Sequence, residues 1–181
     1  TQFVGCSAGG VIGNGKEVEH RSGISLTVAS LPQVNLNSFH VDDDSLPDLD
    51  APPTEWEVLT GMSADKDPHF LIITDPFTIR SQNLLLGLDY AFKEGTKIGG
   101  MASGSSPEGG NTLFLGDKIF DSGAVGIIFD GNIVIDPVVA QGCRPIGTPM
   151  RITRSERNAL IELDGRPTIE ILKEIYKDLT S

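Results

Sequence analysis

Phe70-Leu71-Ile72-Ile73-Thr74-Asp75 is an unbroken apolar run that stops at an Asp-Pro step. A strand with one wet face alternates apolar and polar residues, whereas a continuous run of this length reads as an interior strand buried on both faces. Just after it, Ile79–Lys93 carries the clearest helical pattern. Leu84, Leu85, Leu88, Ala91 and Phe92 fall on one face, and Gly95 follows as a stop. Lys97–Ala102 then reads as a further short strand.

Outward toward the C-terminus, Ser103–Asn111 is a glycine–serine loop. A run of antiparallel strands is expected next, at Thr112–Leu115, Ala124–Phe129 and Ile133–Asp136. Gly116-Asp117 and Asp130-Gly131-Asn132 separate them, and Asp-Gly is a two-residue hairpin signal because both turn positions need positive φ. Val138–Gly147 reads as a strand entering a turn, and Met150–Thr153 with Ala159–Leu163 as a further pair. Asp164-Gly165-Arg166-Pro167 starts a last helix, with proline in its first turn and Ile169, Leu172, Ile175, Tyr176 and Leu179 on its apolar face.

Toward the N-terminus, residues 42–55 form an acidic, proline-punctuated segment, Asp42-Asp43-Asp44 through Pro52-Pro53, expected to be a solvated loop. Ile24–Ala29 and Val34–Val41 both alternate and are expected to be neighbouring strands. Phe3–Gly10 is a short buried strand running into a glycine turn. The fold class that follows is α+β: mixed, largely antiparallel sheets with helices packed outside. Residues 1–181 are expected to be a single domain. The opening Thr1-Gln2-Phe3-Val4 reads as mid-strand, so the domain is expected to be incomplete.

The chain has 14 Lys and Arg against 25 Asp and Glu, a net charge of −11. That balance repels polyanions, and with few aromatic residues it argues against nucleic acid and against anionic membrane surfaces. No apolar run reaches the roughly 20 residues needed to cross a bilayer, so the chain is not expected to be an integral membrane protein. Two cysteines, Cys6 and Cys143, read as free thiols in a reducing compartment, with a disulfide between them left open. A soluble, intracellular protein is expected, in the cytoplasm or an organelle interior such as a plastid stroma.

Gly5-Cys6-Ser7-Ala8-Gly9-Gly10, Thr74-Asp75-Pro76-Phe77, Ile98-Gly99-Gly100-Met101-Ala102-Ser103-Gly104, Gln141-Gly142-Cys143-Arg144-Pro145-Ile146-Gly147 and Asp164-Gly165-Arg166-Pro167 follow one another in this order. Together they resemble the N-terminal half of a FIST domain, over nearly the whole chain. Such domains occur in bacterial signal-transduction proteins and eukaryotic F-box proteins. The resemblance implies a sensory or recognition role with a small ligand such as an amino acid. It also implies that the C-terminal FIST half is missing after Ser181, leaving that half or another protein as a partner. An interaction or substrate-recruiting subunit of F-box type is the alternative, and a thiol enzyme built on Cys143 or Cys6 is the second.

The candidate ligand-binding residues are Cys6, Ser7, Gly9, Gly10, Asp75, Gly99, Gly100, Ser103, Gln141, Gly142, Cys143 and Arg144. The segments 5–10, 99–104 and 141–147 each end or interrupt a strand and are expected to share one side of the sheet. Arg144 suits a bidentate pair with a ligand carboxylate, or an internal pair with Asp75 or Asp136. Arg144 beside Cys143 could favour a thiolate, although a free cysteine is commonly a small buried hydrophobe. The glycine turns lack the Gly-Lys-Ser/Thr ending of a phosphate loop. His40 with Asp42, Asp43 and Asp44 lacks the alternating carboxylates of a cation loop, so no metal and no cofactor are expected. His20, His40 and His69 all read as surface, which leaves a thiol without a base, and no catalysis is expected.

Overall fold

The computed structural model of the protein describes residues 1–106, 109–139, 142–143 and 145–180. The chain divides into two compact units, Thr1–Pro137 and Val138–Ser181. In chain order the first holds β1 (Val4–Cys6), β2 (Gly10–Gly13), β3 (Lys16–Glu19), β4 (Val34–Val41), α1 (Pro53–Thr60), β5 (His69–Thr74), α2 (Ser81–Ala91), β6 (Lys97–Met101), β7 (Leu113–Leu115), β8 (Lys118–Phe120) and β9 (Ala124–Gly131). The second holds β10 (Ile152–Glu156), β11 (Ala159–Leu163), β12 (Arg166–Pro167) and α3 (Thr168–Thr180).

Four strands in the order β4-β9-β5-β6 make the central sheet. β5 and β6 are parallel, and every other pairing described is antiparallel, which makes the fold α+β with mixed, largely antiparallel sheets. β5 is the interior strand that its unbroken apolar run foretells, paired with β6 on one side and β9 on the other. Its residues alternate between faces. Phe70 and Ile72 join Phe39, Val41, Ala124 and Ile128 in a core that takes in Trp56 of α1 and Leu84 and Leu88 of α2. On the opposite face Ile73 and Val125 pack with Val4, Cys6, Leu113, Leu115 and Phe120 from the three-stranded sheet β1-β7-β8.

The helix and strand flanking β5 support each other. Lys97, at the start of β6, donates through Nζ to the Phe92 carbonyl and pairs with Asp89 at 3.1 Å. A cation there meets the partial negative charge of the unsatisfied carbonyls at the end of α2. Leu84, Gly87, Leu88 and Ala91 form the buried face of α2, while Leu85, expected inward, is exposed.

Several elements differ from the sequence expectation for identifiable reasons. Ile24–Ala29 is no strand: it is exposed throughout and does not join the open edge of β4, its expected neighbour, which pairs with β9 on the other side. Ile133–Asp136 is likewise no strand, because β4 and β5 already occupy both edges of β9, so a returning hairpin strand has no edge to join. The segment read as a strand at 138–147 contains none among its described residues.

The acidic segment is partly ordered. Asp43–Ser45 makes a 3₁₀ turn, and Pro53, taken for loop, is the first residue of α1, which ends at Gly61 with φ 64°. Asp43 receives hydrogen bonds from the Arg80 backbone at 2.8 Å and from its Nε at 3.0 Å, which ties the segment to the start of α2.

In the second unit β10 and β11 pair antiparallel, as the sequence foretells. Pro167 lies in β12, one residue ahead of α3 rather than within its first turn. α3 buries Ile171 and leaves Ile169, Leu172 and Tyr176 exposed, so its inward face is rotated from the expected one.

Candidate functional site

The parallel strands β5 and β6 end side by side, where the Thr74 carbonyl accepts from the Ala102 N–H at 2.8 Å. Ligand sites in sheet proteins favour such carboxyl ends. Asp75, the next residue, is fully buried. Its carboxyl accepts from the Thr78 hydroxyl at 2.6 Å and from the Asn111 amide at 2.9 Å. Thr78 Oγ1 accepts in turn from the Gly123 N–H, and the Asn111 carbonyl oxygen from the Ser105 N–H, both at 2.9 Å. Asp75 therefore ties the end of β5 to the approach to β9 and to the loop after β6.

Ser7 performs a similar linking role in front of that knot. Its N–H donates to the Thr112 carbonyl at 2.8 Å, and its hydroxyl oxygen accepts from the Thr112 N–H at 2.9 Å. The Ser103 N–H reaches the Ser7 carbonyl at 3.3 Å, and the Gly9 N–H reaches the Ser103 hydroxyl at 3.2 Å. Gly104 must be glycine for this approach, because a Cβ there would lie 2.5 Å from Ser7 Oγ. Two of the three glycine-rich segments, 5–10 and 99–104, thus meet as expected.

Beside this junction lies a cavity of about 1090 Å³. Its floor is the face of the central sheet opposite the helices: Leu36 of β4, Leu71 and Ile73 of β5, Ile127 and Phe129 of β9. Cys6, Ser7, Gly9 and Gly10 form one wall, and residues of β2, β3 and the segment from Arg21 to Leu31 form another. The Ser25 hydroxyl donates to the Ile12 carbonyl at 2.7 Å and so holds that segment to β2. Ile24–Ala29 contributes to this wall as an exposed stretch and is no strand. A second depression, about 360 Å³ against Ser45, Leu46 and Val58, is smaller and contains none of the candidate residues.

Arg21 is the one charged side chain among the described lining residues, and it is exposed. Cys6 is half-buried, and burial pushes its thiol pKa up. His40 is not a surface residue. Its ring stacks on Phe120 at a centroid distance of 3.8 Å and its Nε2 faces the Ser122 carbonyl at 3.1 Å. His69 is also engaged, with Nδ1 accepting from the Thr96 N–H at 3.0 Å.

Gly99 and Gly100 lie on the edge strand β6, exposed and outside the cavity lining. Gly99 has φ 157°, and a Cβ there would stand 1.7 Å from the Ile72 carbonyl oxygen, so close strand pairing accounts for this glycine. Asp75 and Ser103 hold the junction without being among the lining residues. Gly142 and Cys143 belong to the second unit and are exposed, so Cys143 is not the buried hydrophobe expected of a free cysteine. Gln141 and Arg144 fall outside the described residues. Asn111, Thr78 and Arg21 are the site residues that sequence reasoning missed. Asn111, inside a glycine–serine loop, carries no local signal of its burial.

The model of the FIST N domain matches residues 1–166. The chain belongs to the FIST N family. FIST N domains are sensory domains of signal-transduction proteins. An uncharacterized protein of Mycobacterium tuberculosis strain H37Rv is 31% identical over 175 residues, covering 96% of this chain and 43% of its own length. An uncharacterized protein of Mycobacterium bovis is 32% identical over 182 residues, 98% of this chain and 44% of its own. The chain thus spans less than half the length of the curated relatives it matches. No solved structure matches it. Among the described residues no helix is long and apolar enough to cross a membrane.

Proposed function

We propose that this FIST N domain senses a small molecule held in the cavity between the central sheet and the Arg21–Leu31 segment. The observation that carries the reading is the cavity itself: about 1090 Å³, with an apolar floor of sheet side chains and a few polar groups at its walls. Ligand pockets characteristically combine these two features. The junction of Ser7, Gly9 and Ser103 supports the reading, because it fixes one wall through main-chain hydrogen bonds.

Binding without chemistry is the companion proposal. A thiol raised in pKa by burial is mostly protonated at neutral pH and a poor nucleophile. His40 and His69, the partly buried imidazoles, are committed to carbonyl and amide partners.

Methyl NMR of the whole chain against a mixture of small organic fragments tests the binding reading. Shifts confined to Leu36, Leu71, Ile73 and Ile127 are expected. A mixture that perturbs other methyls and leaves those four unmoved would overturn it.

A further inference from the structure

We propose that the ligand of this cavity is a small apolar molecule bearing one carboxylate, seated with its anionic head against Arg21, a proposal that rests on the ligand-binding reading above. The argument begins with charge. The chain carries 25 acidic side chains and 14 basic ones, yet no Asp or Glu is among the described residues lining the cavity. The charge that does line it is Arg21, which makes no ion pair or hydrogen bond among the described residues.

A guanidinium without a partner among the described residues, lining an apolar cavity, is matched by a carboxylate, to which it can donate two parallel N–H bonds. One positive charge balances a monoanion and leaves a dianionic phosphate half-neutralised. The floor sets the rest of the molecule: Leu36, Leu71, Ile127 and Phe129 offer no hydrogen bonds and favour an aliphatic or aromatic body. The lining also discriminates against a free amino acid. No carboxylate in the described lining is placed to pair with its ammonium, which would sit in water beside the exposed Arg21 and add no affinity over a plain carboxylate, while its side chain covers less of the floor. Cys6, kept neutral by burial, adds no competing anion.

Arg21 is exposed, so its contribution is moderated by solvent and weakened by salt. The test uses the full chain, methyl-labelled, with three probes: octanoate, octanol and leucine, titrated into wild type and Arg21→Gln. An unchanged methyl spectrum at Leu84 and Ile128 shows that the variant is folded. Octanoate is expected to shift the cavity methyls and to bind Arg21→Gln about three- to fivefold more weakly, the effect of losing one exposed charge-assisted pair. Octanol is expected to bind both forms alike, and leucine more weakly than octanoate. Equal octanoate affinity for the two forms, or leucine binding tighter than octanoate, overturns the carboxylate assignment while leaving the cavity reading intact. Failure of all three probes to reach the cavity methyls overturns both.

Discussion

Trp56 fills the space that a side chain at Gly87 would need: a Cβ at Gly87 would lie 1.9 Å from Cζ2 of Trp56. The indole is fully buried against α2, and its Nε1 has no hydrogen-bond partner among the described residues. In an exposed helix, Gly→Ala is stabilising by up to about 1 kcal/mol. Here overpacking wins, and Gly87→Ala is expected to destabilise by about 1–3 kcal/mol. Trp56→Ala is expected to cost about 3–5 kcal/mol. Urea unfolding checks both, and a Gly87→Ala midpoint above wild type would refute the contact.

The Asp75–Asn111 pair gives a second expectation. Asn111→Ala removes the amide that donates to the buried carboxyl and the carbonyl that accepts from Ser105. Leaving those groups unsatisfied costs about 1–3 kcal/mol. The loss should show locally as well, in faster hydrogen exchange at the Ser105 amide. Exchange at Ser105 unchanged from wild type would mean the loop is held by something else.

Acid sensitivity follows from Asp43. Hydrogen bonds from the Arg80 side chain, and then from its backbone, hold this carboxyl below its ordinary pKa. A depressed folded-state pKa stabilises the fold above the ordinary carboxylate value of about 4, and that stabilisation is lost as pH falls through the depressed value. Wild type should therefore be more stable than Asp43→Asn at neutral pH, by a small margin because Arg80 is largely exposed. The gap should close in acid. Chemical denaturation of the two proteins at pH 7 and near pH 3 decides it, and a gap that widened in acid would reverse the assignment.

The two thiols should differ in reactivity. Burial keeps Cys6 protonated, whereas Cys143 is exposed. Mass spectrometry after a brief iodoacetamide pulse at neutral pH should find Cys143 alkylated well ahead of Cys6. Rapid stoichiometric labelling of Cys6 at pH 6 would contradict the proposal that the domain lacks thiol chemistry.

Elements whose pattern is local were legible in the sequence. β5 announces itself by its apolar run, α2 by its helical period, and β10 with β11 by two apolar stretches close together. Ile24–Ala29 misled because alternation alone does not show that a face is buried, and every residue of this stretch is exposed; Ile133–Asp136 misled because a short apolar run says nothing about whether a sheet edge is free. β9 accepts β4 and β5, and that choice involves partners from 50 positions apart (Thr74 and Ala124) to 97 (Val34 and Gly131). The site divides in the same way. Cys6, Ser7, Gly9 and Gly10 stood out because clustered glycines mark close backbone approach. Arg21 and Asn111 look like ordinary loop residues until their tertiary surroundings are known.

The placement of β9 also bears on the order in which the protein is made. β4 pairs with β9, yet Val34 leaves the ribosome roughly a hundred residues before Gly131, its partner in the register. During that interval β4 has no sheet to join, and only the β5–β6 pair is available as a platform for α1 and α2. Long-range pairing of this kind slows folding and leaves apolar strands uncovered while it waits. Nascent chains from which β9 has not yet emerged should therefore depend on chaperones far more than chains long enough for β9 to have left the ribosome, because the strand that completes the core is the last of its unit to be translated.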